Sequence, residues 1–171
     1  MTSRENIYSK SILIKRINIP IKNINKKIDE LLKKKIVDAY EGRCVSEGFI
    51  KKNSYKFISK SCGVISGNTI NIDVIFECEL CLPVEGMTYK CIIRNKTKAG
   101  IRAEIDEDNS PVIIFIARDH HNNNQTFIKA NEGDTINVTV IGQRYELNDK
   151  YISVIGEIKN GDILQPRLSI N

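Results

Sequence analysis

From Ser11 to Pro20 the chain reads SILIKRINIP, with apolar and polar residues alternating after Ile12 until a proline ends the run. A period of two belongs to a strand, whose successive side chains leave opposite faces. The period then changes. With Asn23 and Ile24 as an N-terminal cap region, apolar residues recur at Ile24, Ile28, Leu31, Leu32, Ile36, Ala39 and Tyr40. That spacing draws one stripe along a helix, and Gly42 supplies its stop. The lysines between, Lys26, Lys27 and Lys33 to Lys35, fall mostly on the other side. They read as a solvated face, or else as a basic surface for an acidic partner. Beyond Arg43 come three short β-branched runs, RCVSEGFI, YKFISKSCGVI and NTINIDVIFECEL, separated by Gly, Asn or Ser. One strand, one long helix and three strands predict a helix over a small antiparallel sheet.

After Pro83 the pattern is strands only: MTYKCIIRN, AGIRAEID, PVIIFIA, DTINVTVIGQRYEL and KYISVIGEIK. A polar stretch, RDHHNNNQTFIKANEG, separates the third from the fourth. Five short strands with a longer insertion before the fourth predict a Greek-key barrel of the OB type. Gly100, at the start of the second strand, permits tight coiling. Glu132-Gly133-Asp134 and Leu147 to Lys150 supply turns. The expected fold class is therefore α+β, with a one-helix sheet domain over residues 1–82 and a C-terminal five-stranded OB-type β-barrel over residues 83–171. Pro83, Glu85 and Gly86 mark the seam, and the final residues, NGDILQPRLSIN, read as a packed or fraying tail.

The 171 residues suffice for one large or two small domains, and 41% hydrophobic with 27% charged residues is ordinary for a soluble chain. No apolar stretch approaches the roughly 20 residues that span a bilayer. The opening MTSRENIYSK has no apolar core and does not read as a secretory signal. An intracellular protein is expected, with reduced thiols, since five irregularly spaced cysteines make no disulfide framework. The net charge of +5 is uneven: 15 basic residues stand against 9 acidic ones through Leu82, and 11 against 12 afterwards. A whole-protein basic footprint for nucleic acid is thus absent, and any such contact rests on local patches.

Cys78 and Cys81 form the one C-x-x-C, yet structural zinc needs four ligands, usually as two close pairs. Cys44, Cys62 and Cys91 are scattered, and strand alternation sets positions 78 and 81 on opposite faces. Redox chemistry would want the first cysteine at a helix N-terminus. Inert buried thiols are the expectation, with no metal and no cofactor. His120 and His121 fall in the polar insertion, read as an exposed or RNA-facing loop, and Asp106-Glu107-Asp108 reads as a hairpin turn. No nucleophile motif, phosphate-cradling loop or paired-carboxylate signature appears, so no catalytic residues are named and an enzyme is not expected. The barrel offers basic candidates instead. Arg94, Lys96 and Lys98 lie in the first hairpin and Arg102 on the second strand; Arg118 and His120 follow the third, and Arg144, Tyr145 and Lys150 surround the last hairpin. In OB domains nucleic acid crosses the second and third strands and the neighbouring loops. Lysine and arginine there would track phosphates while Tyr145 stacks on a base; the plain alternative is ordinary solvated charge.

The ordered set YEGRC, GFI, CGVISG, VIFECELCLPVEGM, KCIIRNKTKAGIRAEI and EGDTINVTVIGQRYELNDKYISVIGEI resembles one family over about residues 7–160. That family is the larger stalk subunit of multisubunit DNA-dependent RNA polymerases, the seventh subunit of eukaryotic RNA polymerase II and its archaeal E-type counterpart. The wording is nearest to versions encoded by large DNA viruses of eukaryotes. The resemblance implies an RNP-like tip domain docked on the polymerase core near the clamp, through loops around Asn18 to Lys22 and Ser61 to Gly67. Asn18, Ile19, Pro20, Cys62, Gly63, Val64 and Ile65 would meet the core, Gly63 matching the family's loop glycine. It further implies a smaller stalk partner along the junction and a barrel that contacts nascent single-stranded RNA. The expected place is the nucleus for a cellular protein, or the cytoplasmic virus factory or virion for a viral one. Where related barrels carry an aromatic and a histidine, this chain has Ala99, Gly100 and Ile101 on the second strand and Phe115 on the third. RNA contact is therefore expected to be weak and sequence-tolerant, since base–aromatic stacking supplies about 1–3 kcal/mol per base. A free-standing OB-fold RNA-binding protein, such as a translation factor, is the alternative, and a small zinc-dependent module a second one.

Overall fold

The computed structural model describes residues 7–24, 27–106 and 109–159. The chain divides into two compact units, with the division between Leu82 and Pro83.

In the first unit two long strands, β1 (Tyr8–Pro20) and β6 (Thr69–Cys81), pair antiparallel along their whole length, from Tyr8 opposite Cys81 to Pro20 opposite Thr69. The other side of β6 is shared end to end by β5 (Val64–Ser66), β4 (Lys56–Lys60) and β3 (Gly48–Ile50), and β3 pairs in turn with β2 (Cys44–Val45). Helix α1 (Ile28–Tyr40) joins β1 to this system. The alternation anticipated in β1 and β6 is realised: Leu13, Ile17 and Ile19 of β1 and Ile72, Val74, Phe76, Cys78 and Leu80 of β6 are buried with Leu32 and Ile36 of α1. Each such aliphatic side chain contributes about 1.5–3 kcal/mol through burial. The core is one-sided, because this unit has one long helix.

Two expectations need correction. The helix starts at Ile28, not Ile24, which follows a 3-10 turn (Ile21–Asn23) and is exposed; residues 25 and 26 lie outside the described residues. The three runs after Arg43 fold as five strands. The first makes the β2–β3 hairpin, where Gly48, at φ 137°, leaves no room for a Cβ beside the Cys81 carbonyl. The second breaks at Ser61 to Gly63 into β4 and β5, with Gly63 packed against Ile70.

The second unit is a closed barrel of β7 (Thr88–Lys96), β8 (Gly100–Ile105), β9 (Val112–Ala117), β10 (Thr135–Arg144) and β11 (Ile152–Glu157). Around the barrel the order is β7, β8, β9, β11, β10 and back to β7; the pairs are antiparallel except for parallel β9 and β11. This is the OB arrangement. Ile93, Ile101, Ala103, Ile114, Ile116, Val138 and Val154 are among its buried residues. Gly100 faces Ala117, and a Cβ there would stand 2.2 Å from the Ile116 carbonyl oxygen. The seam residues form the turn into the barrel: Pro83 is buried, Glu85 is exposed, and Gly86, at φ 89°, donates its N–H to the Val140 carbonyl.

The polar insertion is not a loose loop. It holds a 3-10 turn (Arg118–His120) and a short helix, α2 (Gln125–Lys129). Asn124 caps α2 by accepting from the N–H groups of Thr126 and Phe127, and its Nδ2 donates to the Ile158 carbonyl at 2.8 Å. His121, expected to be exposed, is 4% accessible and stacked on Phe127. Its Nε2 accepts the Ile158 N–H at 3.0 Å while Nδ1 donates to the Ala117 carbonyl at 2.7 Å, which fixes the neutral Nδ1–H tautomer. Side chains of the insertion thus take both main-chain polar groups of one residue, Ile158, just past β11. The last twelve residues and positions 107 and 108 of the acidic turn lie outside the described residues.

Candidate functional site

The tip residues come from two loops more than 40 positions apart, and strand pairing gathers them at one end of the sheet. Asn18, Ile19 and Pro20 stand opposite Asn71, Ile70 and Thr69 of β6, which on its other side faces Val64, Ile65 and Ser66. Val64 and Ile65 are 66% and 68% exposed, and Cys62 is exposed beside them in sequence. Ile19 is fully buried, so it supports this end from beneath rather than presenting a surface. Two residues absent from the sequence-based set join it. Ile21 and Ile24 are exposed, and the Ile21 N–H donates to the Asn68 carbonyl in the β5–β6 turn. Ile21, directly after the strand-ending proline and outside the helical stripe, carried a signal, whereas Ile24 fits the helical spacing and gave none. Exposed aliphatic side chains thus stand on both faces of this end of the sheet, Val64 on one and Ile65 on the other, with Ile21 and Ile24 exposed in the connection after β1. Asn18 Nδ2 bridges Thr69 Oγ1 and Asn71 Oδ1 at 3.2 and 3.0 Å, tying the two strands together there.

On the barrel the nine candidates separate into different roles. Lys96 is committed internally: its Nζ donates to the carbonyls of Phe127, Ile128 and Ala130 at 3.3, 3.0 and 2.7 Å, closing the C-terminal end of α2. Arg94 Nε lies 2.9 Å from Glu104 Oε2, and Arg102 approaches the same carboxylate at 3.7 Å, so Glu104 offsets charge on this face. Arg144 pairs with Glu146 at 3.6 Å, both side chains exposed. Lys98 and Arg118 are brought together, since the Arg118 N–H donates to the Ala99 carbonyl next to Lys98; both side chains and that of His120 are exposed. Tyr145 is half-buried and Lys150 exposed in the β10–β11 connection.

Cross-strand register shows what the basic pattern alone did not. Arg102 of β8, Phe115 of β9, Ile155 of β11 and Gly142 of β10 fall in one outward row. Phe115 and Ile155 are about half exposed, and nothing stands over Gly142. A ring flanked by a guanidinium and an aliphatic side chain is a flat surface on which a base can stack. Among the described residues Phe115 is the one large aromatic side chain on the β8–β9 face. The sequence marks the strand but not its neighbours across the barrel.

Four of the five thiols are shielded by burial. Cys44, Cys78, Cys81 and Cys91 are buried and Cys62 exposed. Burial, reinforced by Glu41 and Glu47, pushes the Cys78 thiol up to about 11, and burial with the Asp106 charge pushes that of Cys91 up to about 12. The unbroken register of β6 through Cys78 and Cys81, opposite Ser11 and Tyr8, puts the two side chains on opposite sides of the strand. Elsewhere in the first unit Arg16 binds Asp73 bidentately at 2.7 and 3.0 Å, and these hydrogen bonds hold the Asp73 carboxyl below its ordinary range. Among the described residues no helix is long and apolar enough to cross a membrane.

Fold and faces together define a two-unit protein, a one-helix sheet with an aliphatic end followed by an OB barrel with an aromatic-centred, partly basic face. No family model matches the chain. It is similar, at 27% identity over 132 residues, to a protein of Acanthamoeba polyphaga mimivirus that carries the provisional name DNA-directed RNA polymerase subunit L376. The match takes in 67% of this chain, more than either unit holds, and 63% of the length of that relative.

Proposed function

We propose that this chain is a subunit of a DNA-dependent RNA polymerase of viral type, and specifically its larger stalk subunit. The likeness to the mimivirus polymerase-subunit protein carries the reading, because it extends into both units. The finer assignment draws support from the architecture: an RNP-like one-helix sheet with an aliphatic end around Ile21, Ile24, Val64 and Ile65, then an OB barrel. The aliphatic end docks on the polymerase core near the clamp, a smaller stalk subunit packs beside it, and the barrel touches emerging single-stranded RNA. That contact is weak and sequence-tolerant, with Phe115 beneath a base and Lys98, Arg102 and Arg118 near phosphates. The subunit has no catalytic role of its own; it holds the complex together and guides the transcript. Its place is then the virus factory or virion for a viral polymerase, or the nucleus for a cellular one.

Affinity purification of the tagged chain from its native context tests the reading: polymerase core subunits are expected in stoichiometric amounts, and their absence overturns it. The exposed Phe115 row also suits a free-standing RNA-binding factor. That rival requires tight, strongly salt-dependent RNA binding by the isolated chain, whereas the stalk subunit binds weakly until assembled.

A further inference from the structure

Strand β1 is the edge of its sheet. Over 13 residues it pairs with β6 alone, in unbroken register, and among the described residues no strand lies on its other side. An edge of this length offers a row of main-chain groups for another strand, and proteins usually shorten, bulge or cover such edges. Here no proline interrupts it before Pro20, at its far end.

The face of β1 turned away from α1 carries Lys10, Ile12, Ile14 and Arg16. Ile12 and Ile14 are 63% and 61% exposed, and Ile14 stands opposite Ile75. The acids of this face already have partners: Asp73 holds Arg16, Lys56 reaches Glu77 at 3.3 Å, and Lys51 reaches Glu79 at 2.5 Å. Lys10 makes no ion pair among the described residues. It stands opposite Glu79 and lines a cleft with Lys51, Lys52, Lys56, Glu77 and Glu79; with the two acids paired to Lys51 and Lys56, Lys10 and Lys52 leave that end of the strand with an excess of positive charge.

We propose that the β1 edge takes up an extended segment of another polypeptide as an added antiparallel strand, acidic opposite Lys10 and apolar opposite Ile12 and Ile14. Antiparallel addition continues the sheet, in which every pairing is already antiparallel. Main-chain hydrogen bonds supply the attachment, and alternate side chains supply the choice of guest. A second copy of β1 is a poor guest. Matching the isoleucines of two antiparallel copies sets Lys10 against Arg16 at both ends, and like charges directly opposite are destabilising.

The test uses the full chain and two synthetic peptides. One reads Thr-Thr-Val-Thr-Val-Thr-Glu, which lays its valines against Ile14 and Ile12 and its glutamate against Lys10; the other ends in Lys. At low salt the glutamate peptide is expected to bind about fivefold tighter, because one cross-strand charge pair turns from attraction to repulsion. It should also slow hydrogen exchange along Ile12 to Arg16. Lys10→Glu reverses the preference, and Ile12→Thr with Ile14→Thr weakens binding of both peptides with little change in melting temperature, since both side chains are exposed and threonine suits a strand. Equal binding of the two peptides, no preference reversal in Lys10→Glu, or protection that instead follows self-association of the chain overturns the proposal. The inference stands apart from the polymerase reading: co-purification with core subunits and peptide capture can each fail alone.

Discussion

Lys96 was a candidate phosphate contact by its place in the first barrel hairpin, but its ammonium is turned inward onto three carbonyls at the end of α2. Replacing it by methionine keeps the stem and removes the charge. A hydrogen bond to a charged group contributes about 1.5–3 kcal/mol. The three acceptors share one ammonium, and the side chain is only half-buried, so the loss is closer to one such bond than to three, about 2 kcal/mol. For a unit of this size that corresponds to a fall in barrel melting temperature of about 10 °C. Calorimetry or thermal circular dichroism of Lys96→Met reads this directly. The companion measurement is the salt dependence of single-stranded RNA binding. Lys98→Met, an exposed phosphate contact under the stalk reading, should lower the slope of log K against log salt by about 0.7 with little change in melting. Lys96→Met should leave that slope unchanged. The opposite pattern, with unchanged melting and a lowered slope for Lys96→Met, would refute the structural reading of this residue.

Other outcomes follow from the same geometry. Gly100→Ala drives a methyl group to within 2.2 Å of the Ile116 carbonyl oxygen and should destabilise the barrel by about 3 kcal/mol or prevent closure, as urea titration will show. Asn124→Ala strips the α2 cap and leaves the Ile158 carbonyl without its side-chain donor, a cost of about 2 kcal/mol in the same assay. Iodoacetamide on the native chain should label Cys62 rapidly and the four buried cysteines only after denaturation, which peptide mass mapping checks. Cys91 and Cys78 are held protonated by the fold, so their contribution is complete below the unfolded thiol value near 9. It is lost as pH rises toward about 11 for Cys78 and 12 for Cys91, because unfolded thiols ionise first. Cys91→Ala should flatten that alkaline fall in a stability–pH profile.

Where hydrophobic periodicity is strong the sequence was readable. The stripe from Ile28 to Tyr40 and the alternation of β1 and β6 set one helix against one face of a sheet, and five spaced runs set the barrel strands. What failed was local: Ile24 continues the helical spacing by number, yet it is an exposed residue before the helix, because a 3-10 turn after Pro20 changes the phase. Ser61 to Gly63 interrupt an apolar run without changing its composition, and two strands came out where one was expected. Site residues were least legible, since charge says nothing of direction. Lys96 and Lys98 are two positions apart in one hairpin, and one is a helix cap while the other faces solvent. His121 looks like a twin of His120, but one is a buried hydrogen-bond relay and the other is exposed. Cross-strand rows such as Arg102–Phe115–Ile155 depend on register, which no single run of residues reports.

The parallel pair β9–β11 has a consequence for how the protein comes into being. It joins Val112 to Ile152 across the whole insertion and β10, and it is the contact that shuts the barrel. On the ribosome the first unit has every strand it needs once Leu82 has emerged, and can acquire its core while the barrel is still being made. The barrel has no such early option. Its sheet stays open, with β9 an unprotected edge, until the last strand arrives. His121 and Asn124 then secure the main-chain N–H and C=O of Ile158 just past that strand, so the barrel strand made last is also the one that covers the open edge of β9.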